Sequence, residues 1–427
     1  IPLHTKILAG LIIGAIAGVT VNLTVGPDAG SVRWVNQYVA GPVGQVFLRM
    51  LFMIVMPLVF ASISLGVAGL GDVRKIGTVG GKTMLYFFVS TALAAVLGLV
   101  LVQVLQPGLG LSPEVTADLM AAYATDATAK VEQQAAGGFG VQTFVNIVTR
   151  NPVQSAASGD MLGVIFFSLL FGAALTLIDK ATAKPMIDVL TALNEVVIKI
   201  VNMAMRIAPL GVAGLIFGVT SMFGFALLKP IGLYVITVLL GLALHMFVTM
   251  GVLLRVLAGV GIFDFLKRIR AVIVTAVSTS SSAATLPTSI AVAQSNLGAP
   301  PQIAGFVLPM GTTMCMNGTS LFEGITVIFL CQVFGVDLTL AQMVIVMTMA
   351  VITAIGAAGV PGGSIPLLVG ILALFGVPGE GIAIILGVDR ILDAARTVVN
   401  VVGDHAGTLI IGKSEGVWDA SKLPQST

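Results

Sequence analysis

Charge is what this sequence is short of. Asp, Glu, Lys and Arg make up 9% of its 427 residues, against about 25% in soluble domains. That shortage excludes a water-soluble globular protein. A hydrophobic fraction of 57% and a mean hydropathy of +1.07 leave an integral membrane protein. Period-2 alternation is lacking and the apolar runs are long, so a membrane barrel is excluded and helices remain. Cysteine is scarce too: Cys315 and Cys331 both sit in apolar sequence, and no disulfide framework follows. A net charge of +2 without a basic tail gives no reason for a nucleic-acid partner. Membrane lipid is the surrounding the composition demands.

Glycine and proline are plentiful, at 50 and 18. Many fall inside apolar stretches, where they break helices. Lipid tolerates broken helices only where protein or a water-filled cavity satisfies the freed backbone groups. The apolar segments run over Ile7–Val25, Val43–Leu70, Thr83–Leu105, Met161–Leu177, Val189–Val219 and Pro230–Val260. The stretch Pro107–Asn151 is too polar to span. Arg74, Lys75 and Lys82, then Lys180 and Lys184, then Lys267, Arg268 and Arg270 fall in alternate loops, which places those loops and both termini in the cytoplasm. The expectation is a multi-pass protein of the inner cell membrane.

Two later segments differ from ordinary spans. Ile269–Leu297 is interrupted by the run from Ser278 to Pro287, and Val344–Phe375 by Gly356–Ser364. Each apolar half is about ten residues, roughly 15 Å of helix, or half the hydrocarbon thickness. Both read as re-entrant hairpins, one with a serine-rich tip and one with a glycine-rich tip. Between them, Gly311–Thr319 predicts unwound backbone inside an apolar span. Two interrupted segments in matching places suggest inverted repeats meeting at a transport site.

The last apolar segment, Gly381–Ile411, carries Asp389, Asp393, Arg396, Asn400 and Asp404. On a helix these form one stripe about 60–80° wide. Ionic side chains at bilayer depth mark a substrate or ion path. Arg396 can grip a carboxylate in a bidentate fork. Asp393, one turn earlier, can meet an ammonium group, with Thr397 and Asn400 adding neutral hydrogen bonds. A plainer alternative is that Asp393 and Arg396 neutralise each other, as i,i+3 spacing permits. Asp389 and Arg390 read as structural. Asp404 has no basic neighbour on its face and calls for a bound cation. His405 points elsewhere and reads as a packed neutral histidine.

These motifs resemble the glutamate transporter homologue family, the dicarboxylate/amino acid:cation symporters, over nearly the whole chain. The resemblance rests on Thr285-Leu286-Pro287, Met316-Asn317-Gly318-Thr319, Gly359-Val360-Pro361-Gly362 and the run from Asp393 to Asp404, in the family's order. It implies an all-α homotrimer of eight transmembrane helices and two re-entrant hairpins with elevator-type motion. Residues 1–78 and 161–222 would form the scaffold, 79–110 and 223–427 the transport domain, and 111–160 an extracellular loop. The substrate would be L-aspartate or L-glutamate, with a C4-dicarboxylate as alternative. Substrate binding would fall to Ser281, Ser282, Thr319, Val360, Asp393, Arg396, Thr397 and Asn400.

The resemblance assigns cation sites to Gly311, Thr313, Cys315, Met316, Asn400 and Asp404. It assigns a further, degenerate site to Phe87, Ser90, Thr91 and Asn317. Sodium-coupled members carry Asn-Met-Asp-Gly-Thr where this chain has Cys315-Met316-Asn317-Gly318-Thr319, and a tyrosine where it has Phe87. Losing a carboxylate removes charge that offsets a hard cation's desolvation. No organic cofactor is implied. Three couplings stay open: fewer sodium ions, a proton or none, or a soft divalent metal held by Cys315 and Asp404. The arginine that many members place at the positions of Ser280 or Ala394 is missing. Two other classes compete. An intramembrane serine hydrolase using Ser282 lacks a Gly-x-Ser-x-Gly elbow, and a passive channel has no need of a zwitterion-shaped charge pair.

Overall fold

A computed structural model describes residues 3–73, 78–112, 115–117, 119, 148–158, 161–355, 359 and 362–424. Among the described residues the chain is helical, without strands, and six helices are long and apolar enough to cross a membrane. Most of the 111–160 segment, together with Arg74, Lys75 and Val360, lies outside the described residues.

The first part of the chain contains α1 (Leu3–Thr24), α2 (Gly41–Phe52), α3 (Val55–Val73), α4 (Thr78–Leu105), α5 (Met161–Leu177) and α6 (Lys180–Phe223). Helix α1 runs along α6. Gly10, Gly14 and Gly18 face the Pro209, Ala213 and Phe217 carbonyls so closely that any Cβ would collide, the small-residue contact that lets helices approach in lipid. The second apolar segment is not one helix. It breaks at Met53–Ile54, and Pro57 falls in the first turn of α3, where its missing N–H costs little. The fifth is longer than its apolar pattern. Helix α6 has 44 residues, about 66 Å. Its polar start is held by the Asp179 cap on the Ala181 amide and by a Lys184–Asp188 pair.

The second part contains α7 (Leu228–Leu244), α8 (Arg270–Thr279), α9 (Ser282–Leu297), α10 (Pro301–Met314), α11 (Asn317–Val333), α12 (Leu340–Ile355), α13 (Ile365–Ala373) and α14 (Ala383–Ser414). Helices α8 and α9 form a helical hairpin turning at Ser280–Ser281, and α12 and α13 are joined through residues 356–364. The break expected near Gly311–Gly318 falls at Cys315–Met316, whose backbones leave helical geometry. Helix α14 is buried along most of its length and packs on α10, α8, α11, α6 and α7. It therefore joins the first interrupted pair, the broken helix and the first part of the chain.

Past α14 the chain straps the end of this group. The Trp418 indole donates to the Leu297 carbonyl at 2.8 Å. Glu415 pairs with Lys82 at 2.6 Å, and Arg268 donates to the Pro424 carbonyl. His405 lies between the Val401 and Ser289 carbonyls at 2.7 and 3.2 Å, tying α14 to α9 rather than facing Asp404's side.

Candidate functional site

The two hairpin tips meet over α14. Ser280 adopts a left-handed conformation, φ +47°, which ends α8 and turns the chain back. Ser281 then caps α9: its Oγ accepts from the Ala284 amide at 3.1 Å and donates to the Gly359 carbonyl at 2.6 Å. The Ala283 amide donates to the same carbonyl at 3.3 Å. An N-cap hydroxyl thus joins the serine tip to the glycine tip. The glycine tip reaches α14 as well, through the Gly362 amide and Asp393 Oδ2 at 3.2 Å.

Beneath the joined tips lies a recess of about 290 Å³ lined by Ser280, Ser282, Met316, Thr319, Gly359, Gly363, Ser364, Asp393, Arg396, Thr397 and Asn400. Six of the eight expected substrate residues line it. Ser281 braces it from behind, and Val360 lies outside the described residues. The Ser280 and Ser364 hydroxyls are buried there without a hydrogen-bond partner.

Arg396 is the recess's cation. Its Nε and Nη2 donate to Asp393 Oδ1 at 3.1 and 2.7 Å. Its Nη1 lies 3.1 Å from Asp389 Oδ1, and its guanidinium stacks 4.0 Å over the Phe322 ring. Asp389, read from sequence as merely structural, is thus a direct partner of Arg396. Mutual neutralisation of Asp393 and Arg396, weighed as the plainer reading, is the arrangement present. Asn400 has a double task. Its Oδ1 accepts from the Gly318 amide at 2.8 Å, and its Nδ2 donates to Thr319 Oγ1 at 3.1 Å and to Met316 Sδ at 3.2 Å. It fastens the first turn of α11 to α14. Gly318 permits this, because a Cβ there would strike the Arg396 backbone.

One to two turns further along α14 is the second cluster. Asp404 is buried, its Oδ1 has no hydrogen-bond partner, and its carboxylate interacts with the Cys315 thiol. Gly311 lies against that carboxylate. Asn317 Oδ1 accepts from Ser90 at 3.2 Å and from Thr91 at 2.8 Å, while its Nδ2 is buried and unpartnered beside Gly403 and Cys315. The Phe87 carbonyl accepts from Ser90. The phenol absent at position 87 enters this neighbourhood from Tyr86, whose hydroxyl donates to the Gly403 carbonyl at 3.2 Å.

Two expectations shift. The Thr313 side chain is exposed and its hydroxyl donates to the Met310 carbonyl; it is the Thr312 carbonyl that lies near Gly359. Met316 lines the substrate recess. A soft metal would need more ligands than Cys315 and Asp404, since structural sites take about four and catalytic ones about three. Among the described residues no group of three or more His, Cys, Asp or Glu gathers.

Sequence reasoning missed Glu323. It is fully buried on α11. Its Oε2 accepts from Thr353 of α12 at 2.7 Å, and its Oε1 has no partner. A lone acid in an apolar run was the available signal.

The model of the sodium:dicarboxylate symporter family matches residues 3–414. The chain is 36% identical over 416 residues to a proton/sodium-glutamate symport protein of Geobacillus stearothermophilus, covering 97% of each. It is 35% identical to a proton/glutamate-aspartate symporter of Escherichia coli (strain K12), covering 98% of this chain and 94% of that protein. It is 33% identical to a C4-dicarboxylate transport protein of Bacillus subtilis (strain 168), covering 98% and 95%.

Proposed function

Since this chain belongs to the sodium:dicarboxylate symporter family, a transporter family rather than an enzyme family, we propose that it carries L-aspartate or L-glutamate with sodium coupling reduced or lost. One observation carries the choice of substrate. A buried arginine and a buried aspartate, already in contact, lie side by side in a recess lined by both tips. An acidic amino acid replaces that internal pair with two external ones. Its side-chain carboxylate takes the Arg396 fork, and its ammonium takes Asp393. Its α-carboxylate faces the start of α9 and the Ser280, Ser282 and Ser364 hydroxyls, where the helix dipole favours an anion. Thr319, Thr397 and Asn400 complete the shell. A C4-dicarboxylate would use Arg396 but leave Asp393 Oδ1 without the donors it now has, so the amino acid is the better fit.

The reduced role of sodium rests on the second cluster. Asn317 spends its carbonyl oxygen on Ser90 and Thr91 and brings no charge. Asp404 remains the anion for one cation. Glu323 is the described acid best placed to carry a proton. It has one oxygen free and a hydroxyl from α12 on the other, so opening of the second hairpin would expose it. In this reading the hairpins are re-entrant, the second is the gate, and the units 1–78 with 161–222 and 79–110 with 223–427 move past each other as scaffold and elevator in a homotrimer. The test is uptake of labelled aspartate into proteoliposomes under sodium, choline and pH gradients. Concentrative uptake driven by a pH gradient in choline supports the reading; uptake strictly requiring sodium refutes it.

A further inference from the structure

Asp393 has two oxygens, and the structure gives them different partners. Oδ1 receives both donors of Arg396. Oδ2 receives the Gly362 amide and, at 3.4 Å, Nη1 of Arg390. Arg390 does not line the substrate recess. Its side chain, 14% exposed, lies in a separate cavity beside the second tip, with Phe47 and Met205 on the far wall and Gly362 and Ile365 on the near one. Among the described residues, the recess residue it pairs with is Asp393.

This division matters when substrate binds. A carboxylate that takes the Arg396 fork draws off both donors from Oδ1. A carboxylate held at one oxygen alone by a backbone amide is free to swing about χ2, a broad torsion. Arg390 supplies the second hold. It also keeps a positive charge on Asp393 while Arg396 is occupied elsewhere, in a buried setting where an unpaired acid is costly. Resting on the acidic amino acid reading above, we propose that Arg390 is a positioning residue: by gripping Asp393 Oδ2 it presents Oδ1 to the substrate ammonium and so favours amino acids over amine-free dicarboxylates.

The test compares wild type, Arg390→Gln and Arg390→Lys in proteoliposomes, with labelled aspartate as substrate and succinate as competitor. Arg390→Gln should raise the aspartate KM roughly fivefold or more, about 1 kcal/mol at tenfold per 1.4, with maximal rate within about twofold. The succinate inhibition constant should stay put, because succinate has no ammonium for Asp393. Arg390→Lys should recover much of the aspartate affinity. A succinate constant that rises in step with the aspartate KM, an unchanged KM, or a lysine variant no better than glutamine overturns the proposal. Should succinate compete with neither protein, the KM shift and its rescue decide alone. Wild type that transports no acidic amino acid defeats the substrate reading, and this inference with it. Wild type that transports aspartate while Arg390→Gln is unaltered defeats this inference only.

Discussion

The two halves of α14 handle buried charge in opposite ways. From Asp389 to Arg396, two acids and two bases lie within two turns and all are in contact. From Asn400 to Asp404 there is one acid, and one of its oxygens has no hydrogen-bond partner. The first half is neutral within itself, so a ligand entering it must exchange partners, and the natural exchanger carries both signs. The second half has an acid with a free oxygen and no base beside it, so a cation entering there displaces no internal ion pair. Substrate selection and coupling are thereby separated along one helix.

The sharpest way to break this contrast is Arg396→Ala. It removes the fork and should weaken aspartate binding by about 100-fold or more, as expected for truncating a buried hydrogen-bonded charge. Arg396→Lys should retain weak binding without the bidentate geometry, and unchanged gel-filtration behaviour would show that the fold survives. Aspartate affinity persisting in Arg396→Ala would merge the two halves again. Next in size, Glu323→Gln should abolish pH-gradient-driven uptake in choline while leaving aspartate binding within a few-fold. Uptake still driven by the pH gradient would remove Glu323 from the coupling.

Asn317→Asp sharpens the contrast from the other side. It gives the Ser90–Thr91 network a charge, so aspartate binding should become more sodium-dependent than in wild type. Ser281→Ala should cost the α9 cap, about 1 kcal/mol, along with the bond to Gly359, and weaken substrate several-fold by loosening the tips.

The smallest effect lies outside the bilayer. The hydrogen bond from Lys82, aided by Thr78, holds the Glu415 carboxyl below the usual carboxylate range. Its contribution is therefore present at neutral pH and lost as pH falls through that lowered value. Glu415→Gln should lower the thermal midpoint slightly at pH 7, and the difference from wild type should close below about pH 4. A gap unchanged at acid pH would deny the strap its ionic component.

Much of the site was legible because membranes make polar residues conspicuous. Asp393, Arg396, Thr397 and Asn400 stood out as a stripe, and the serine and glycine runs as interruptions, since each breaks an apolar pattern. What spacing on one helix does not reveal is tertiary partnership. Asp389 read as structural beside Arg390, although Arg396, its partner, lies two turns on along the same stripe. Tyr86 was overlooked because Phe87 holds the position that motif comparison singles out, whereas its own ring comes round to Gly403. Thr313 sits in a polar run, yet its hydroxyl turns back to its own helix. The length of α6 was underread because its first turns are polar and its extension depends on a cap rather than on hydrophobicity.

The most direct measurement is aspartate binding to the purified protein by calorimetry, titrated against sodium in choline-balanced buffer. Binding that persists without sodium, changing less than about tenfold across the titration, is the expected result. Binding that disappears when sodium is withdrawn would contradict the separation of substrate and cation along α14.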